Sequence, residues 1–143
     1  MGDFGISKRA EDGAAISSSL KGTLGFMAPE LHGFAEAGKE CSSDNAQAAD
    51  MWSLGELVFR MLTKEPTFRS MGLLFNYVRN PESFPSSALH AHSVSLSGLD
   101  FVKSAMTPAP EKRPTADLAL HHNWIEPHRP SIARSSSITS VGY

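Results

Sequence analysis

The sequence predicts a mainly α-helical fold, on three observations. Apolar residues recur at three- and four-residue spacing through Met51, Leu54, Leu57, Val58, Met61 and Leu62. Further along, Asn80-Pro81, Pro108 and Pro110 divide the chain into stretches of helical length, because proline cannot continue a helix. No segment shows a convincing strand pattern. A length of 143 residues suits one domain with one core, and 41% hydrophobic content is ordinary for a globular chain.

Taken in order, residues 6–24 are polar, carry Lys8, Arg9, Ser17, Ser18, Ser19 and Lys21, and predict a loop. Residues 25–33 are mixed and punctuated by glycines and Pro29. Residues 34–48 have little apolar periodicity and predict a short helix plus loop. Asp50 stands before the strongest helical pattern and reads as its N-cap. Trp52 and Phe59 widen the apolar face, which marks a central helix, and Pro66 sets an end beyond Leu62. Residues 70–79 predict a second, amphipathic helix stopped by Asn80-Pro81. Ser97 is the expected N-cap of a third helix through Leu99, Phe101, Val102, Ala105 and Met106. Thr115 is expected to cap a last helix with Leu118, Leu120 and Trp124 inward. From Glu126 the text turns to Pro, Ser and Arg, so residues 127–143 predict a disordered, Ser-rich tail.

Composition narrows the function classes. A net charge of −2 gives no reason to expect nucleic acid or an anionic membrane as partner. No apolar run approaches the roughly 18 residues of a membrane span, and no secretory signal pattern stands at the N-terminus. Cys41 is the sole cysteine, which excludes a disulfide framework and suggests a reducing compartment; a cytoplasmic location is expected, with the nucleus as the alternative. His90, His92, His121 and His122 have no carboxylate or cysteine at a recognisable ligand spacing and read as surface or helix-end histidines.

Four motifs carry the chemistry. Asp3-Phe4-Gly5 places a carboxylate before an apolar residue and a flexible one, a weak signal alone. Gly22-Thr23-Leu24-Gly25-Phe26-Met27-Ala28-Pro29-Glu30 follows, then Asp50-Met51-Trp52-Ser53-Leu54-Gly55. The last is Pro110-Glu111-Lys112-Arg113-Pro114-Thr115, followed by His122-Asn123-Trp124-Ile125. In this order they resemble the protein kinase superfamily of serine/threonine type, over residues 3–125. Lys8 after Asp-Phe-Gly-Ile-Ser weakly resembles the calcium/calmodulin-dependent group, and no tyrosine-kinase form of the Ala-Pro-Glu segment occurs.

The resemblance implies the C-terminal lobe of the kinase fold, incomplete, with no N-terminal lobe and no catalytic loop. It divides the chain into a partial kinase domain over 1–126, with an activation segment at 3–30 and a helical subdomain at 31–126, and the tail at 127–143. It implies that Asp3 is the magnesium ligand, that Asp3, Phe4 and Gly5 form the motif beside ATP, and that Phe4 packs differently in active and inactive states. Thr23 matches the residue that orients the catalytic base, or else is a loop cap. Residues 24–29 match the wall against the substrate residue after the phosphoacceptor, so a protein substrate is the implied partner. Ser19 matches the activation-loop phosphosite, or else is a soluble loop tip. Glu30 and Arg113 match a buried ion pair, and Asp50 matches a carboxylate that accepts hydrogen bonds from the catalytic-loop backbone, a role compatible with capping.

Absences shape the functional expectation. The sequence holds no Gly-x-Gly-x-x-Gly, no lysine in a Val-Ala-x-Lys context and no His-Arg-Asp followed by Asn. ATP and magnesium are cofactors of the full-length family, and these residues alone are expected to bind neither well. Met1 is expected to be the first methionine of a longer reading frame, and the chain to be an inactive kinase fragment missing its upstream lobe. The alternative is a non-catalytic, kinase-like binding or scaffold module. Loss of the upstream packing is expected to leave the surface around Trp52, Leu57 and Phe59 facing water and the isolated chain marginally stable.

Overall fold

The computed structural model describes residues 25–33 and 43–128. A short 3-10 turn, Pro29–His32, precedes α1, Ser43–Thr63. Four shorter helices follow: α2 (Met71–Arg79), α3 (Ser86–Ala91), α4 (Leu96–Ala105) and α5 (Ala116–Leu120). Further 3-10 turns lie at Pro81–Ser83, Pro110–Lys112 and Glu126–His128. Among the described residues there is no strand, in agreement with the mainly α prediction.

The central helix begins earlier than its apolar pattern. Asp50 lies two turns inside α1 with its side chain exposed, so it is not the N-cap. Ala46, Gln47, Ala48 and Ala49 favour helix by propensity, yet give no apolar stripe, because small alanines mark no face whether they are exposed, as Ala46 is, or buried, as Ala49 is. The other end matches expectation: α1 stops at Thr63, where the Thr63 hydroxyl donates to the Phe59 carbonyl at 2.9 Å, and Lys64 turns left-handed at φ 65°.

Aromatic packing builds the core on one side of α1. Trp52 stacks on Phe68 at 6.3 Å, Phe68 on Tyr77 at 5.1 Å, and Tyr77 meets Phe84 edge-on at 5.6 Å. Phe84 also meets Phe59 edge-on at 6.2 Å. Trp52 and Phe59 are therefore fully buried, which corrects the expectation that they face water. The loop at 64–70, α2 and Phe84 cover them, all from later in the chain. The side of α1 left open is a narrower stripe of Leu54, Leu57 and Met61, at 38%, 46% and 67% exposure. On another side α4 approaches closely because Gly55 has no side chain: a Cβ there would lie 2.4 Å from Met106 Cγ.

Three side-chain caps start the later helices. Ser70 accepts from the Leu73 amide, Ser95 from Gly98 and Thr115 from Leu118. The Thr115 cap agrees with the sequence, and the Ser70 cap is one that sequence reasoning did not assign. For α4 the cap is Ser95 rather than Ser97, since Ser95 has the extended backbone of a cap (φ −62°, ψ 158°) and the helix already includes Leu96. In α5 the buried residue is Ala119, while Leu118 and Leu120 are exposed. Residues two apart project from different faces of a helix, so a single neighbour cannot cover both. Trp124 is half-buried against Phe101, ring centroids 5.3 Å apart.

Tyr77 joins α2 to the end of α4 by donating its hydroxyl to the Met106 carbonyl at 2.9 Å. Burial pushes its phenol up to about 12 from 10.0, and the charge of Arg113 opposes the rise. A raised folded value means stability is fully present below pH 10 and is lost as pH climbs toward 12, because the unfolded phenol ionises first. Alkaline titration of urea stability is expected to show this loss. Tyr77→Phe should flatten it between those pH values while costing about 1 kcal/mol at neutral pH.

Candidate functional site

The residues around the Pro29–His32 turn are tied to α1 at several points. Ala28 and Pro29 are buried, and Ala28 lends the extended backbone from which the turn starts. Proline at its first position suits a turn whose leading amides have no partner within the turn. Ser53, on α1, donates to the Phe26 carbonyl at 2.7 Å.

The central contact is an ion pair between residues far apart in sequence. Arg113 Nη1 donates to Glu30 Oε1 and Nη2 to Glu30 Oε2, each at 2.7 Å. The Arg113 side chain is fully buried and that of Glu30 is 11% exposed. Arg113 also donates to the Thr107 carbonyl through Nε at 2.7 Å, to Ala48 through Nη1 at 2.9 Å and to Pro108 through Nη2 at 3.0 Å. All five guanidinium N–H groups are thus used. The cation lies 5.2 Å from the Trp52 ring centroid. One side chain therefore joins the turn at Glu30, α1, and the connection after α4.

A second polar cluster sits further along α1. Glu56 is fully buried, accepts from Arg60 Nε at 2.6 Å and from the Thr67 amide at 3.3 Å. The Arg60 guanidinium lies over the Phe26 ring at 4.6 Å. Sequence reasoning missed Ser53, Glu56 and Arg60 as contacts of this segment. The available signal was a carboxylate and a guanidinium four residues apart within an otherwise apolar helical run.

Of the residues singled out from sequence, the structure brings Glu30 and Arg113 together and sets Asp50, exposed on α1, at a groove that Arg113 also lines. Asp50 borders a groove of about 320 Å³ with Gln47, Met51, Pro110, Glu111 and Pro114. Asp3, Phe4, Gly5, Ser19 and Thr23 lie outside the described residues. Among the described residues, no three His, Cys, Asp or Glu side chains converge to hold a metal ion, and no helix is long and apolar enough to cross a membrane. Every N–H of Arg113 is taken up by Glu30 and by backbone carbonyls, and both Glu30 oxygens accept from Arg113. The physical effect of the pair is to fix the end of the segment against the helices.

The family model for the protein kinase domain matches residues 1–125. The chain belongs to the protein kinase family. It is similar to mitogen-activated protein kinase kinase kinase 5 of Arabidopsis thaliana, 34% identical over 145 residues covering 96% of this chain and 19% of that protein. It is similar also to the calcium/calmodulin-dependent protein kinase cmkA of Emericella nidulans, 30% identical over 131 residues, 88% of this chain and 29% of that protein. The chain thus spans less than a third of the length of these curated relatives. The crystal structure of the Rad53 kinase domain and SCD2 in complex with AMPPNP superposes with a TM-score of 0.58 and 29% identity, over 73% of this chain and 39% of that one. In kinase terms, the described helices form the helical, C-terminal-lobe part of the fold.

Proposed function

We propose that these residues are the substrate-docking and C-terminal-lobe part of an ATP-dependent serine/threonine protein kinase. The observation that carries the reading is the bidentate Glu30–Arg113 pair, which fastens the Ala-Pro-Glu end of the segment to α1 and to the connection after α4. A segment fixed at this end can present residues 24–29 to an extended peptide, with Thr23 beside the reacting hydroxyl and Ser19 as the site where phosphate would order the loop. The Rad53 complex with AMPPNP supports ATP use, and similarity to a serine/threonine-protein kinase, Nek6 of Oryza sativa (29% identical), supports serine or threonine rather than tyrosine acceptors.

Asp3 would hold magnesium, which when bound neutralises charge on the transferred phosphate. The described residues offer no alternative set of metal ligands. The phosphate cover, the phosphate-holding lysine and the catalytic base have no counterpart in these 143 residues. The open stripe of Leu54, Leu57 and Met61 suits packing against the segment that would carry that base. A cytoplasmic location fits the reading.

Peptide phosphorylation with magnesium and ATP tests it. The 143 residues alone should transfer no phosphate. Joined in frame after the nucleotide-binding lobe and catalytic loop of a serine/threonine kinase, they should phosphorylate serine or threonine peptides and not tyrosine peptides. A folded joined protein that binds peptide without any transfer would instead favour a non-catalytic binding module. Transfer by the 143 residues alone would refute the division of labour proposed.

A further inference from the structure

We propose that Arg60 is a positioning residue that clasps Phe26, and that Glu56 and Gly25 are the parts that make the clasp work. Glu56 is a carboxylate with no exposed surface on a helix whose neighbouring core is aromatic. A buried charge needs a partner, and Arg60 Nε supplies it at 2.6 Å while the Thr67 amide bonds the other oxygen. The carboxylate therefore holds the guanidinium in one place. That place is over the Phe26 ring, 4.6 Å from its centroid, where the ring face attracts a cation.

Gly25 leaves the room. A Cβ at that position would lie 2.5 Å from Arg60 Nη2 and 3.1 Å from Glu56 Oε1. Any other residue at 25 would push the guanidinium off its seat, at small cost elsewhere because the displaced group is the end of a long side chain. Ser53 holds the Phe26 carbonyl from the same helix at 2.7 Å. The clasp is separate from the Glu30–Arg113 pair and links residues 25–26 to α1 and to the turn at Thr67. Its consequence for a substrate, that it sets the position of the wall formed by residues 24–29, rests on the kinase reading. The clasp itself does not.

Amide hydrogen exchange on the 143-residue chain tests it without any phosphoryl transfer, so failure of the kinase assay and failure of the clasp are separate results. Arg60→Met keeps the aliphatic stem and removes the cation. It should speed exchange across residues 25–33 by about tenfold or more. Because it leaves Glu56 buried without its cation, it should lower overall stability as well, so the comparison with α4 is made in the variants that keep Arg60. Arg60→Lys, which can still place a cation over the ring, should restore part of the protection. Gly25→Ala and Phe26→Leu should reproduce the local loosening, and Phe26→Leu leaves the helix untouched should Arg60→Met fail to fold. In Phe26→Leu and Gly25→Ala, exchange that rises equally in α4, or that stays unchanged over 25–33, overturns the proposal.

Discussion

Arg113→Met is expected to destabilise the folded chain by about 3–5 kcal/mol, the range for breaking one side of a buried ion pair. The loss has two sources. Glu30 keeps its charge in a site only 11% exposed with no cation, and the carbonyls of Ala48, Thr107 and Pro108 lose their donor. Typical domain stability is about 5–15 kcal/mol, so a large part of the margin goes with one side chain. Arg113→Lys should recover little, because an ammonium has three donors at one point and cannot serve a planar set of five acceptor directions. Urea denaturation followed by circular dichroism measures both. A shift of the Arg113→Met midpoint worth under about 1 kcal/mol would mean the pair is solvated in solution.

Trp52→Ala is expected to cost a similar amount, about 3–5 kcal/mol, through lost burial and a cavity between α1, Phe68 and Tyr77. Trp52 has no exposed surface and also supports the Arg113 cation, so truncation weakens a second contact. Trp52→Phe should cost far less. Phenylalanine retains most of the stacking, and the buried indole Nε1 has no hydrogen-bond partner among the described residues to lose. Far-UV circular dichroism in urea compares the three proteins without relying on tryptophan emission. Equal losses for the two variants would mean the site tolerates no smaller ring.

What could be read from sequence follows from which signals are local. Pro66, Asn80-Pro81 and the cap Thr115 act through backbone chemistry within a few residues, and those boundaries agree with the structure. The first two turns of α1 were missed because alanines favour helix without producing a periodic apolar signal. Helix α3 spans only Ser86–Ala91, too short for periodicity to register. Leu118 and Leu120 misled because leucine in so short a helix carries no information about which face has a neighbour. At the site, the pairing of Glu30 with Arg113 was suggested by motif resemblance rather than by spacing. Glu56 drew no reading from the sequence, because its burial depends on the Thr67 amide, eleven residues on, which only the fold brings to it.

The central claim is that one ion pair fastens the Ala-Pro-Glu end of the segment to the helical lobe. A double-mutant cycle on Glu30→Gln and Arg113→Met, read as urea unfolding free energy, tests it most directly. The pair should show a coupling of about 2–3 kcal/mol, at the upper end of what contacting residues give. Additive effects, with coupling under about 0.5 kcal/mol, would contradict the claim.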